Sequence, residues 1–280
     1  MKQRIVWHLG TSDCALRLIE YAPGTRQLPH AHSRDSITLV LRGELRESSE
    51  GGEERAASLS VVAKPAGVEH ENEFGPAGAC TLQIELPPDH RHRWSISMPH
   101  ASIRWEHAGP SCRTLLKMLS LLDRDAPPNP RAADELVHRS VAALSFRLPA
   151  EAPPTSWLME VRVALEREST PIAALARRMG VHPVYLARRF RARFGVSPTT
   201  YRTRLRVQRA ARSLLEAKGP LAALALDAGY YDQPHMNRQI RATTGLTPRA
   251  LRSVSGWIDT PDARGFASAR HGCVRTRTPR

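Results

Sequence analysis

The order of apolar and polar positions divides the chain into stretches of different period. Between residues 14 and 88 the apolar residues come in short runs. These are Leu16-Arg17-Leu18-Ile19-Glu20-Tyr21, Ile37-Thr38-Leu39-Val40-Leu41, Ser58 to Ala63, and Cys80 to Leu86. Turn residues such as Arg42-Gly43-Glu44 bound them, so they read as strands. Their spacing predicts a small antiparallel barrel or sandwich. Glu44, Glu47, Glu50, Glu53 and Glu54, around Gly51-Gly52, read as a solvated hairpin loop. From Leu115 the period changes. Leu115, Leu116, Leu119 and Leu122, then Leu136, Val137, Val141, Leu144 and Leu148, recur at helical spacing. Pro127, Pro128 and Pro130 separate the two as a helical hairpin, whose apolar faces suit either a dimer seam or packing on the strands. Pro149 to Thr155 reads as a linker.

From about Trp157 the pattern is helical again, and it repeats. Pro171-Ile172-Ala173-Ala174-Leu175-Ala176 with Gly180 recurs as Pro220-Leu221-Ala222-Ala223-Leu224-Ala225 with Gly229, 49 residues later. Beyond that glycine the offset is 50: Leu186 maps to Met236, Arg188 to Arg238, Phe190 to Ile240, Gly195 to Gly245, Pro198 to Pro248 and Arg202 to Arg252. Each copy has the grammar of a helix-turn-helix. A proline opens the first helix, a small alanine (Ala176 or Ala225) sits where two helices cross, and Gly180 or Gly229 gives the turn its positive φ. The second helices are predicted over 183–194 and 233–243. Between the copies, Tyr201 to Ala217 carries an apolar stripe of Leu205, Ala210, Leu214 and Leu215.

Charge adds a division of labour. Residues 1–155 hold 18 Lys and Arg against 19 Asp and Glu, whereas residues 156–252 hold 18 against 6. The helical repeat is therefore the part that meets a polyanion. Arg202, Arg204, Arg206, Arg209 and Arg212 of the connecting helix read as phosphate contacts or as a wet face, with only one or two expected to touch DNA. At 280 residues, 41% of them hydrophobic, the chain is long enough for two domains with ordinary cores. No run approaches a membrane span, and the four cysteines form no C-x-x-C pair. Both features suit a reduced cytoplasm and no membrane partner.

Residues 157–253 resemble the DNA-binding domain of AraC/XylS-type transcription regulators. The resemblance is carried most specifically by Ala225-Leu226-Asp227-Ala228-Gly229-Tyr230-Tyr231-Asp232-Gln233-Pro234-His235-Met236-Asn237-Arg238 and by Gly245-Leu246-Thr247-Pro248-Arg249-Ala250-Leu251-Arg252. Most members carry Phe where Met236 and Ile240 stand, and a serine cap where His182 stands. The resemblance implies recognition helices in two successive major grooves, about 34 Å apart on one face of the duplex. Carried over by position, it puts base-edge contacts on Val184, Ala187 and Arg188, and on Gln233, Pro234, Asn237 and Arg238. Arg191 projects from the same side of the first recognition helix and joins the DNA-binding set. Side-chain chemistry agrees: Arg pairs with guanine, Asn or Gln with adenine, and Val or Ala meets a thymine methyl.

Gly24-x5-His30-x-His32, then Gly43, then Pro65-x-Gly67-x-x-His70, resembles the two motifs of the cupin barrel. His30 and His32 are two apart, so on a strand both face the same way. Three imidazoles suffice for a metal site. However, Ser36 stands where metal-binding cupins carry Glu, and Phe74 where the second motif would end in Asn. His30, His32 and His70 are therefore read as effector-binding, with no cofactor expected. A divalent metal on the same residues is the lesser reading. His90 and His92 read as a wet loop.

The fold class expected is α+β and multidomain. It comprises a cupin-like sensing barrel over 1–88, a helical hairpin over 89–148 that suits dimerisation, and a linker at 149–156. An all-α domain with two helix-turn-helix units follows at 157–253, and then a basic disordered tail at 254–280. The function expected is a non-enzymatic, cytoplasmic, sequence-specific regulator of transcription. Its partners would be double-stranded DNA, a small-molecule effector, a second copy of the chain and, for an activator, RNA polymerase. The alternatives are a metal-dependent cupin enzyme with accessory DNA binding, and a nucleoid-type binder with little sequence preference.

Overall fold

The computed structural model describes residues 3–11, 13–93, 102–122, 129–144, 156–216, 219–258 and 273–274. Most of the expected linker, residues 149–155, lies outside these. The N-terminal part is an antiparallel sheet built on two long strands, β4 (Ser36–Ser49) and β7 (His70–Glu85), which pair from Ser36 opposite Glu85 to Ser49 opposite His70. β1 (Gln3–Gly10) pairs with β2 (Ala15–Tyr21), and β2 with β7. β3 (Arg26–His32) lies on the other end of β7. β5 (Gly52–Ala57) and β6 (Ser60–Lys64) pair with β4. Alternation explains the core: Leu16, Leu18, Ile37, Leu39, Leu41, Leu82 and Ile84 are fully buried.

Four strands match the apolar runs of the sequence. The strand β8 (Arg104–His107), which pairs with β6, was not among the expected elements, because Arg-Trp-Glu-His shows no apolar alternation. The short helix α1 (His90–Arg93) replaces the expected wet loop. There His90 is buried, with Nε2 3.1 Å from the Asp35 carboxylate. Asp35 also accepts from Arg91 at 2.5 Å and from the Ala66 amide at 2.7 Å. Glu47 departs from expectation as well. It is buried against Lys64 rather than solvated in the hairpin.

The helical hairpin is α2 (Pro110–Leu121) and α3 (Pro130–Ala142), the latter capped by the Asn129 side chain accepting from the Ala132 amide at 2.9 Å. Leu115, Leu116, Leu119, Val137 and Val141 are buried, Leu136 is half-buried, and Leu148 lies outside the described residues. Among the described residues eight helices remain: α4 (Ser156–Arg167), α5 (Ile172–Arg178), α6 (Pro183–Phe194), α7 (Pro198–Glu216), α8 (Leu221–Asp227), α9 (Gln233–Thr244), α10 (Pro248–Ser253) and α11 (Ser255–Ile258). Pro171 and Pro220 cap α5 and α8 from just outside, one position earlier than expected.

Packing divides the chain differently from composition. Among the described residues, 156–207 form one body, around Leu158, Val161, Leu165, Leu175, Leu186 and Phe190. Among the described residues, those from 208 onward pack instead with those up to 144. The boundary between the two bodies falls within α7. In the larger body α9 packs on α2, and the Gln208 side chain donates to the Ser58 carbonyl at 3.2 Å and to Ser60 Oγ at 3.1 Å. Of the expected disordered tail, Ser255–Ile258 is helix, and Cys273–Val274 is a two-residue strand, β9, on the edge of β3.

Gly43 and Gly78 lie where β4 and β7 shift register. At Gly43, φ is +81° and a Cβ would come within 2.0 Å of the Gly78 carbonyl oxygen. Gly24 also has positive φ, +65°, but open space around it. Gly43→Ala is expected to cost about 3 kcal/mol or more. Gly24→Ala should cost about 1 kcal/mol, for the left-handed conformation alone. Urea denaturation of the two variants checks this, and equal losses would show that the close approach is not felt.

Candidate nucleic-acid interface and histidine cluster

Helix α6 starts where the His182 Nδ1 accepts from the Val184 amide at 3.3 Å, and Pro183 occupies the first turn. Gly195, at φ +74°, ends it. Leu186 and Phe190 are buried, and Phe194 packs on Phe190 with ring centres 4.4 Å apart. The opposite face carries Val184, Arg188 and Arg191, all exposed, with Ala187 half-buried. The Arg188 guanidinium sits 5.7 Å from the centre of the Tyr185 ring.

Helix α9 has the same plan with a stronger cap: Asp232 Oδ1 accepts from the His235 amide at 2.7 Å. Met236, Ile240 and Thr244 are buried. Pro234 and Arg238 are exposed, while Gln233 and Asn237 are half-buried. The Asn237 Oδ1 is itself buried and has no hydrogen-bond partner in the fold. Neither α6 nor α9 contains a carboxylate residue, so neither helix carries an internal counter-charge for its arginines. Tyr231 was not singled out from the sequence, yet it is 88% exposed just before α9, beside the buried Tyr230. Two adjacent tyrosines give no sign of which one turns outward.

The arginines of α7 divide. Arg202 donates to the Thr170 carbonyl, and its repeat counterpart Arg252 donates to the Gly219 carbonyl at 2.9 Å. Each ties the helix after α6 or α9 to the segment before α5 or α8. Arg202 is thus a structural staple, which the wet-face reading had missed. Arg212 is also committed within the fold, to Glu44 at 2.6 Å and Glu216 at 3.2 Å.

The histidines converge. β3 carries an extra residue between Gln27 and His30, opposite Asn72 and His70 of β7, and Pro29 lies in that irregularity. It brings His30 directly opposite His70. Ring centres are 4.5 Å apart for His30 and His70, 5.2 Å for His30 and His32, and 5.1 Å for His32 and His70. One ring nitrogen from each residue lies within 4.8 Å of the others. The Gly67 amide donates to the His32 carbonyl at 2.9 Å, fixing the turn before His70. His30 Nδ1 lies 2.8 Å from the Leu28 carbonyl and His70 Nδ1 3.1 Å from that of Val68. A carbonyl only accepts, so both Nδ1 atoms carry the proton and both Nε2 atoms present a lone pair. Burial, then the Lys64 charge, pushes the His70 pKa down to about 2, and burial lowers that of His30. The His70 Nε2 is buried without a partner. The divalent metal that a cupin-like pattern implies would fit these donors, with His30, His32 and His70 holding it and backbone carbonyls orienting the His30 and His70 rings.

Residues 175–253 match the family model described as a helix-turn-helix domain. An AraC-like transcription regulator from Streptomyces antibioticus is 36% identical over 84 residues, which are 30% of this chain and 28% of that protein. Another, from Streptomyces lividans, is 29% identical over 160 residues, or 51% of this chain and 53% of that protein. The chain therefore spans about a quarter to a half of the length of these curated relatives. A solved transcriptional regulator of the AraC-type DNA-binding class from Chromobacterium violaceum is 26% identical, covering 36% of this chain and 92% of that one, with a TM-score of 0.34. The family match and the curated relatives identify the C-terminal helices as a helix-turn-helix domain. Its type is that of the AraC-like regulators of transcription. Among the described residues, no helix is long and apolar enough to cross a membrane.

The lowered His70 pKa has a consequence for stability. Below the unfolded value of 6.5 the unfolded chain takes a proton that the folded chain refuses. The contribution is whole above pH 6.5 and falls by about 1.4 kcal/mol per pH unit below it, down toward the folded value. His70→Gln should flatten the decline in urea midpoint between pH 7.5 and 5. Parallel pH curves for the two proteins would contradict this.

Proposed function

We propose that the chain is a sequence-specific DNA-binding regulator of transcription, with two helix-turn-helix units and a cupin-like sensing barrel. The observation that carries this reading is the exposed, arginine-bearing and acid-free face of α6 and of α9 within a matched helix-turn-helix domain. Val184, Ala187, Arg188 and Arg191 form the reading face of the first unit. Gln233, Pro234, Asn237 and Arg238 form that of the second. Asn237 is half-buried on this helix, and its amide matches the donor–acceptor pair of an adenine edge. The exposed Tyr231 is added to the second face.

In this reading His30, His32 and His70 hold the effector. An effector alters DNA binding only by favouring one of two arrangements. Contacts that can carry that preference exist without the linker. Gln208 sits on Ser58 and Ser60, and Ser60 Oγ lies 2.9 Å from His107 Nδ1. Arg212 pairs with Glu44, and α9 rests on α2, where Arg113 lies 3.2 Å from the place a Gly245 Cβ would take. We place the transmission of that preference in the helical hairpin and α7.

The test is a binding-site selection with the full chain, followed by footprinting. A selected site protected over about two helical turns under excess random DNA is expected, with affinity falling steeply as salt rises. Arg238→Ala should cost about 1–3 kcal/mol on that site and relax preference at one base pair. Arg252→Ala should weaken specific and random binding alike, because it unlocks the second unit. Equal losses on both DNAs for Arg238→Ala would remove it as a base reader, and the absence of any selected site would sink the regulator reading.

A further inference from the structure

Glu47 and Lys64 are buried side by side, 2% and 5% exposed, and joined as an ion pair. The Trp105 indole Nε1 donates to the other Glu47 oxygen at 3.2 Å. Neither charge has a part in the function proposed above, and taking both out of water is costly. Their place in the sheet is informative. Across β4 and β7, Ser49 stands opposite His70 and Glu47 opposite Asn72. Opposite residues share a face, as do residues two apart, so Glu47 lies on the His70 face, one pair along. Asn72 donates to Gln27 at 2.9 Å, so this face is polar between the pair and the histidines. Lys64 ends β6, just before the turn whose Gly67 amide holds His32. Both charges act on His30, and that of Lys64 acts on His70.

We propose that the Lys64–Glu47 ion pair tunes the affinity of the His30–His32–His70 cluster for a divalent transition-metal ion, Lys64 lowering it and Glu47 raising it. The proposal rests on the reading of the cluster as the ligand site. Two neutral imidazoles with Nε2 lone pairs turned inward, joined by a third ring, favour a Lewis acid over an anionic organic ligand. A buried unit charge nearby acts strongly on a doubly charged ion, because little water screens it. Side by side, the two charges largely cancel, and removing either exposes the other. The pair thereby holds affinity at an intermediate level, which suits a site that must fill and empty.

The test is Co(II) titration of the full chain after chelator treatment, read by visible absorption and calorimetry. The natural chain should bind one Co(II), and His70→Gln should abolish the signal. Lys64→Gln should bind about 10–100-fold tighter and Glu47→Gln about 10–100-fold weaker. Damage to packing would weaken both, so opposite signs are the signature of tuning. The double variant, Glu47→Gln with Lys64→Gln, keeps a neutral hydrogen-bonding pair and should stay near the natural affinity. It carries the test where a single variant does not fold by circular dichroism. Single variants that shift in the same direction or not at all, or a double variant that loses binding, overturn the tuning. No Co(II) binding by the natural chain, or full binding by His70→Gln, overturns the metal assignment. Footprinting the same preparation shows separately whether the DNA-binding reading stands.

Discussion

The sheet depends on one ladder, the pairing of β4 with β7 along nearly their full lengths. β2 and β3 attach to β7, and β5 and β6 attach to β4, so each of these strands takes its register from the pair. The ladder sets which residues meet. It puts Leu39 opposite Leu82 and Ile37 opposite Ile84 at one end, and Glu47 opposite Asn72 and Ser49 opposite His70 at the other. One end is thus an apolar core, while the other is a polar interior with charges and histidines. Glycines at 43 and 78 allow the two backbones to approach where the shift between these regimes occurs.

The helical repeat is held by small polar devices that recur with it. Ser197 and Thr247 take amides at the starts of α7 and α10, from Thr200 at 3.1 Å and Ala250 at 3.2 Å. Gly195 and Gly245 have φ of +74° and +75°. Arg202 and Arg252 close their units onto a backbone carbonyl. Local geometry is therefore duplicated more faithfully than composition, since Phe190 and Ile240, or Leu186 and Met236, differ in shape while filling the same kind of place.

Much of this was legible in the sequence, and for identifiable reasons. Helix α6 was bounded correctly because Pro183 and Gly195 act locally, on the chain itself. The convergence of His30, His32 and His70 followed from a two-residue spacing and a Pro-Gly turn. The misses are tertiary. Glu47 looks like its neighbours Glu44 and Glu50 until Lys64 arrives from another strand. His90 looks solvated until Asp35 reaches it. Arg202 cannot be told from Arg206 by type, only by the Thr170 carbonyl within its reach.

The shift in register around Gly43 makes the chain unequal in its tolerance of length changes. Side chains alternate across a sheet, so the number of residues between that glycine and Glu47 decides which way the carboxylate turns. Additions at the exposed Glu50-Gly51-Gly52 tip leave that count untouched. Losing a single residue between Gly43 and Glu47 would swing the carboxylate to the outer face and leave Lys64 a buried cation without its mate. Drift among relatives of this chain should therefore gather at the hairpin tip, while the four-residue step from Gly43 to Glu47 keeps its length whatever its letters become.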